Sequence, residues 1–230
     1  MIEKTLKTTH GTISIKMPSQ LKEVSLGQMM DLQDKTDLSD LDAISILSGI
    51  AVEDLKDVNN FHDFNVFGDA VLSISNQIKH LYNSNDIPSR VTFKIDGKTV
   101  KVNVIRNLSV EPAGAFMAAR DIIAEEINEH IKLHGEEDWQ GRFNPSLKAC
   151  CQVLAQYFYC RVTGEKYNEY KADAFAETVK NISVVEALPI GKHFFMSYPN
   201  LSRVKTNYWL QPRLFWRRKR AYSRSKNSSI

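Results

Sequence analysis

Few residues have the type and spacing to do chemistry. His130 and His134 stand four apart in a stretch of helical periodicity, so both imidazoles project from one face, with Glu126 or Glu129 close enough to join them around a metal ion. The glutamate is not where an HExxH site places its general base, and no distant third ligand is recognisable. Two solvated imidazoles near a polar helix end are the plainer reading. Cys150, Cys151 and Cys160 contain no CxxC pair, and adjacent Cys150 and Cys151 point to different helix faces. Their odd number and apolar neighbours suit reduced, buried thiols. Asp31, Asp34, Asp37, Asp40 and Asp42 form an acidic series lacking the glycine and closing glutamate of a calcium loop, which reads as a solvated edge or a surface for a basic partner. The chain has no GxSxG, no Walker-type loop and no GxGxxG after a strand. The expectation is therefore a protein without catalytic residues, metal or cofactor, working by contact with other macromolecules.

Charge is distributed unevenly. Of 30 basic and 27 acidic residues, nine basic and no acidic ones lie between Asn200 and Ile230, so residues 1–199 hold 21 basic groups against all 27 acids. An acidic body thus carries a basic, aromatic tail, which suggests an anionic partner or an intramolecular latch. Within the tail, Arg213, Trp216, Arg217, Arg218, Lys219, Arg220 and Arg224 are the candidate anion or nucleic-acid contacts, because guanidinium groups neutralise phosphates and aromatic rings stack on bases. A solubilising terminus, or an arm that packs on a neighbouring subunit, would have the same composition. In the body, Met29, Met30, Phe61, Phe64 and Phe67 are the candidate partner-binding residues, since Met and Phe adapt to partner helices, although such side chains more commonly pack a core.

The elements that must position these groups are mainly helical. Thr12 to Met17 alternates like a half-buried strand and stops at Pro18. Ser25 can cap a short helix through Met29 and Leu32, and Ser39 or Asp40 a second one closed by Gly49, before a brief helical turn at 50–55. Apolar residues from Phe61 to Tyr82 predict one long amphipathic helix ending near Asn83. Val91–Ile95 and Thr99–Val104 flank Asp96-Gly97, a hairpin signal. Pro112 suits the first turn of a helix carrying Phe116, Met117, Ile122, Ile123, Ile127 and Ile131 and ending near Gly135. After a polar loop around Trp139, Ser146 starts a helix whose apolar residues surround its axis, the expected central core helix.

The apolar-Ser-apolar triplets Val24-Ser25-Leu26, Leu108-Ser109-Val110 and Ile182-Ser183-Val184 raise an internal duplication, although serine caps between apolar neighbours explain them equally. The expected fold is α+β, mainly helical, with small β-hairpin elements and amphipathic helices. Its parts are an N-terminal lobe at 1–84, a hairpin-plus-helix lobe at 85–199 that can share the first lobe's core, and the tail at 200–230. No apolar run approaches the roughly 18 residues of a membrane span, and the start lacks a signal peptide's apolar stretch, so a cytoplasmic protein is expected.

Pro18-Ser19-Gln20-Leu21-Lys22-Glu23-Val24-Ser25-Leu26-Gly27-Gln28, followed by Ile44-Ser45-Ile46-Leu47-Ser48-Gly49-Ile50, resembles the opening of tail assembly chaperone-like proteins of tailed bacteriophages, particularly phages of Bacteroidota. Similarity continues through the strand pair at 93–104, Gln152 to Phe158 ahead of Tyr167, and Val185-Glu186-Ala187-Leu188-Pro189 ahead of Phe194-Phe195, so that it spans about residues 12–198. The resemblance implies a helper that binds tape-measure or tail-tube protein, and copies of itself, in the cytoplasm of an infected bacterium. The tail beyond Tyr198 has no counterpart in it. That leaves open a virion component, a connector or tail-associated subunit, whose tail contacts DNA or an acidic neighbour.

Overall fold

The structure is a computed structural model that describes residues 1–197, apart from Asn60, Lys79, Asn85 and Asp138 and the side chains of Phe61, Asp63, Gln140 and Arg142. The seven basic or aromatic tail candidates lie outside the described residues.

Strands β1 (Ile2–Thr8) and β2 (Gly11–Met17) form an antiparallel hairpin. The alternation at 12–17 predicts β2. Its partner β1 carries only Ile2 and Leu6 as alternating apolar residues, too weak a pattern to stand out before the pairing is known. A 3-10 turn at Leu21–Glu23 leads into α1 (Leu26–Asp34), then α2 (Asp40–Ser48) and α3 (Val52–Lys56). The expected caps are present: Ser25 with Gln28, and Ser39 with Asp42, each form a reciprocal capping box. Gly49 closes α2 at φ 74, in the left-handed region.

The single long helix expected between Phe61 and Asn83 is instead three pieces. A 3-10 turn at Phe61–Phe64 precedes α4 (Asn65–Ile78), and another follows at Leu81–Asn83. Helical spacing alone cannot tell a continuous helix from one flanked by tighter turns. Within α4 the buried stripe is Phe67, Ala70 and Ile74, whereas Leu72 faces outward.

Strands β3 (Arg90–Ile95) and β4 (Lys98–Asn103) form the second hairpin. Asp96 at φ 49 and Gly97 at φ 75 supply the two positive angles its turn needs. A 3-10 turn at Leu108–Val110 leads into α5 (Ala113–His134), which ends at Gly135, φ 84. The buried stripe of α5 is Ala115, Ala119, Ile123 and Ile127; Phe116, Ile122 and Ile131 are only half-buried, and Met117 is exposed. Ala115 and Ala119 keep the N-terminal half of that stripe small. Trp139 falls in the short α6 (Trp139–Arg142), where a loop is expected.

The remaining helices are α7 (Leu147–Thr163), α8 (Glu169–Ala174), α9 (Ala176–Val179) and α10 (Val184–Ser197). From Val153 to Tyr159 every residue of α7 is buried, a run that covers all directions around the axis, as expected of the central helix. It packs against α5, α8, α9, α10, α1 and β4. The described residues fall within one compact unit. The fold is α+β and mainly helical, with two small two-stranded sheets.

Both hairpins are followed by a 3-10 turn and then a helix, which gives the suspected duplication some structural parallel. The triplets themselves are not equivalent. Ser25 caps α1, whereas Ser109 lies inside the 3-10 turn that precedes α5.

Gly114 lets α5 approach the Tyr167 ring, since a Cβ there would lie 2.5 Å from a ring carbon. Tyr167 is tied down by a hydrogen bond to Gln156, so the ring cannot simply swing away. Gly114→Ala should therefore cost about 1–3 kcal/mol, read as a lower urea midpoint with an unchanged slope.

Candidate functional site

Polar side chains converge at three places in the described body. At the first, Gln156 of α7 is 2% exposed and partnered at both ends of its amide: Nε2 donates to Asp173 Oδ1 at 2.7 Å, and Oε1 accepts from the Tyr167 hydroxyl at 2.7 Å. Burial raises the Asp173 carboxyl, and burial pushes the Tyr167 phenol up to about 12, with Glu169 and Asp173 adding to it. On the neighbouring side of α7 the Tyr159 hydroxyl donates to Glu165, which also pairs with Lys171. Each contact joins α7 to the segment that follows it.

The second place joins α7 to the segment before α5. Arg161 forms an ion pair with Glu111, whose side chain is 3% exposed, and its guanidinium lies 5.1 Å from the centre of the Tyr157 ring. The Tyr157 hydroxyl accepts from the Ile105 N–H at 2.6 Å and donates to the Ile105 carbonyl at 3.1 Å. This arrangement holds the chain leaving β4 against the central helix. Its groups are occupied by one another.

The third is the histidine pair. The rings of His130 and His134 lie 4.6 Å apart, and His130 stands edge-on to Phe143 at 5.2 Å. Phe143 in turn meets Phe195 of α10. Nε2 of His130 is buried without a hydrogen-bond partner among the described residues. Glu126 accepts from the Ser146 N–H at 2.7 Å, so one carboxylate oxygen is engaged in capping α7. No group of three or more His, Cys, Asp or Glu side chains among the described residues is arranged to hold a metal ion.

The cysteines are free thiols; Cys150 and Cys151 are buried and Cys160 is half-buried. Burial raises all three, Cys151 to about 11, which is the opposite of what an activated nucleophile needs. Within the acidic series, Asp31, Asp34, Asp37 and Asp40 are exposed, while Asp42 pairs with Lys35 and caps Ser39. Lys35 first and Ser39 second hold the Asp42 carboxyl down to about 2.

The partner-binding candidates behave as core. Phe67 is fully buried, Met29 is 1% and Phe64 6% exposed, and Met30 is half-buried. A partner could reach the first three only by opening the fold. The Phe61 side chain lies outside the described residues. Side chains that do face solvent are Leu72 at 64% exposure on α4, Met117 and Leu133 on α5, and Tyr170 on α8. Their signal in the sequence was phase: Leu72 falls in line with Asn65, Asp69 and Asn76, on the polar side of α4. An open groove of about 290 Å³ lies between Leu21, Gln77, Leu81 and Val185, with an apolar floor and no acid–base pair.

Two outcomes follow from these contacts. Arg161→Met leaves the Glu111 carboxylate buried without its cation and should cost about 3 kcal/mol, whereas adding Glu111→Met should recover part of that loss in chemical denaturation. For His130, burial first and His134 second depress the imidazole below its ordinary value. The unfolded chain therefore binds more protons, and the contribution to stability is complete above about pH 6.5 and falls as pH drops through the folded value. His130→Gln should flatten the thermal midpoint between pH 7 and pH 5.

No family model, curated protein or solved structure matches the chain.

Proposed function

We propose that the chain is a non-enzymatic morphogenesis protein of a tailed bacteriophage, a tail assembly chaperone that binds tape-measure or tail-tube protein in the cytoplasm of the infected host. The observation that carries this reading is the set of exposed apolar side chains, Leu72 and Val66 on α4 and Met117 and Leu133 on α5. Apolar groups on the outer faces of helices suit contacts with the apolar stripe of a partner helix or with a second copy.

The motif that carries the resemblance also has a definite structural task. Leu26 and Gly27 donate their N–H groups to the carbonyls of Ile182 and Lys180, both at 2.8 Å, and the Val184 N–H returns to the Val24 carbonyl at 3.0 Å. Gln28 both completes the Ser25 capping box and donates to the Leu47 carbonyl at 2.9 Å. The segment Glu23 to Gln28 is thus a clasp between the front of the chain and residues 180–184, which lead into α10, and this supports reading the resemblance as one of fold.

A second reading is favoured by the charge division between residues 1–199 and 200–230: a structural virion protein, connector or tail-associated, whose basic tail contacts DNA or an acidic neighbour. No helix among the described residues is long and apolar enough to cross a membrane.

Co-expression with the tape-measure and tail-tube proteins of the same phage tests the chaperone. A complex should co-purify, and Val66→Lys with Leu72→Lys should reduce its yield at least fivefold at unchanged thermal stability. A stoichiometric amount in purified virions would favour the structural reading instead.

A further inference from the structure

The outer face of the β3–β4 hairpin is cationic and carries no acid. In the observed register Arg90 lies opposite Asn103, Thr92 opposite Lys101, and Lys94 opposite Thr99. All six of these side chains are exposed, while Val91, Phe93 and Val102 on the other face are buried. Among the described residues, Arg90, Lys94 and Lys101 have no carboxylate partner in an ion pair. Arg90 donates across the hairpin to Asn103 at 3.0 Å, which orients its guanidinium. The acids nearest in sequence are Asp96, in the turn between Lys94 and Lys98, and Asp86, four residues before Arg90; neither lies on the strands themselves. The β1–β2 hairpin offers a comparison within the same molecule: its outward face holds Glu3 opposite Lys16 beside Lys7 opposite Thr12, one acid for two cations, where the β3–β4 face has three cations and no acid.

We propose that this hairpin face is a nucleic-acid-binding surface that seats a two-stranded β-ribbon against duplex DNA. Three unpaired cations on one face of a body with more acids than bases create a local field opposite to the average, and a polyanion is the partner that this field attracts. An acidic protein segment shares that charge, but the composition of the face argues against it. Protein interfaces depend on apolar or aromatic anchors at their centre, and none of the six outward side chains is apolar. Interfaces with DNA are more polar and more positive, and Arg, Lys, Asn and Thr are donors and acceptors suited to phosphates and base edges. The dimensions agree. Six-residue strands are about 20 Å long and about 5 Å apart, and a major groove about 12 Å wide admits a two-stranded ribbon. The ribbon is braced from behind, since the Phe93 ring meets Phe158 of α7 at 5.0 Å and Phe175 at 5.8 Å.

Fluorescence anisotropy of the full chain with a mixed-sequence DNA duplex of about 30 base pairs, titrated between about 50 and 200 mM salt, tests the proposal. Arg90→Ser, Lys94→Ser and Lys101→Ser together should weaken binding at least tenfold and reduce the log–log salt slope by about 2 to 3, near 0.9 for each phosphate no longer neutralised. A control with the same charge loss elsewhere, Lys132→Ala, Lys148→Ala and Lys166→Ser, should keep the parent slope. The basic tail is present in all three proteins and contributes alike to each. Should the triple variant lose its thermal transition, Lys94→Gln with Lys101→Gln should still lower the slope by about 2. The proposal is overturned if the parent does not bind the duplex, if the hairpin variant binds like the control, or if the face binds poly-glutamate more tightly than DNA.

Discussion

A helix that is apolar on every side must be covered on every side, and that requirement on α7 organises the molecule. Ordinary surface helices bury one stripe and leave the rest to water. In α7 the positions from Val153 to Tyr159 are all enclosed, so α5, α10, the pair α8 and α9, α1 and the second hairpin act as its cover. Covering α7 also encloses its polar side chains, and a buried polar group without a partner is costly. Gln156 and Tyr159 answer this with the segment that follows α7, through Tyr167 and Asp173 and through Glu165, while Tyr157 answers it with the Ile105 backbone before α5. The hydrogen bonds therefore specify which element lies on which side, a distinction that apolar contact alone does not make.

A second requirement arises at helix ends. The first N–H groups of α1 have no intrahelical acceptor, and the segment between α9 and α10 offers free backbone carbonyls at Lys180 and Ile182. The chain joins these two sets directly, through Leu26 to Ile182 and Gly27 to Lys180, with Ser25 and Ser183 bridged in antiparallel fashion. Gly27 eases this approach, since a Cβ there would stand 3.0 Å from the Lys180 Cβ. Two of the three apolar-Ser-apolar triplets thus face each other across one contact. Their similarity has a local physical cause, because each supplies an extended residue at the start of a helix, and it needs no duplication to explain it.

These constraints divide the polar groups from the surface. The polar groups with the most unusual environments are occupied in holding elements together. Exposed side chains that suit a partner include the outward apolar residues of α4 and α5 and the polar cationic face of the second hairpin. The first suits protein contact and the second an anionic ligand, and both lie on the described body.

Local rules legible in the sequence account for much of the secondary structure. Capping residues marked the starts of α1, α2 and α7, Asp96-Gly97 marked the tight turn, and the apolar run from Val153 to Tyr159 marked the central helix. These features depend on neighbours a few residues away, so the chain order reveals them. What only the tertiary structure decided is which face of an ambiguous element turns inward. Met29, Phe64 and Phe67 are composed like a binding surface but are core, while Leu72 and Met117 read as core but face solvent. Strand β1 exists because β2 pairs with it, and the clasp between residues 24–27 and 180–184 joins positions more than 150 residues apart. Such choices are settled by which surfaces meet when the chain closes around α7, and no window of local sequence contains that information.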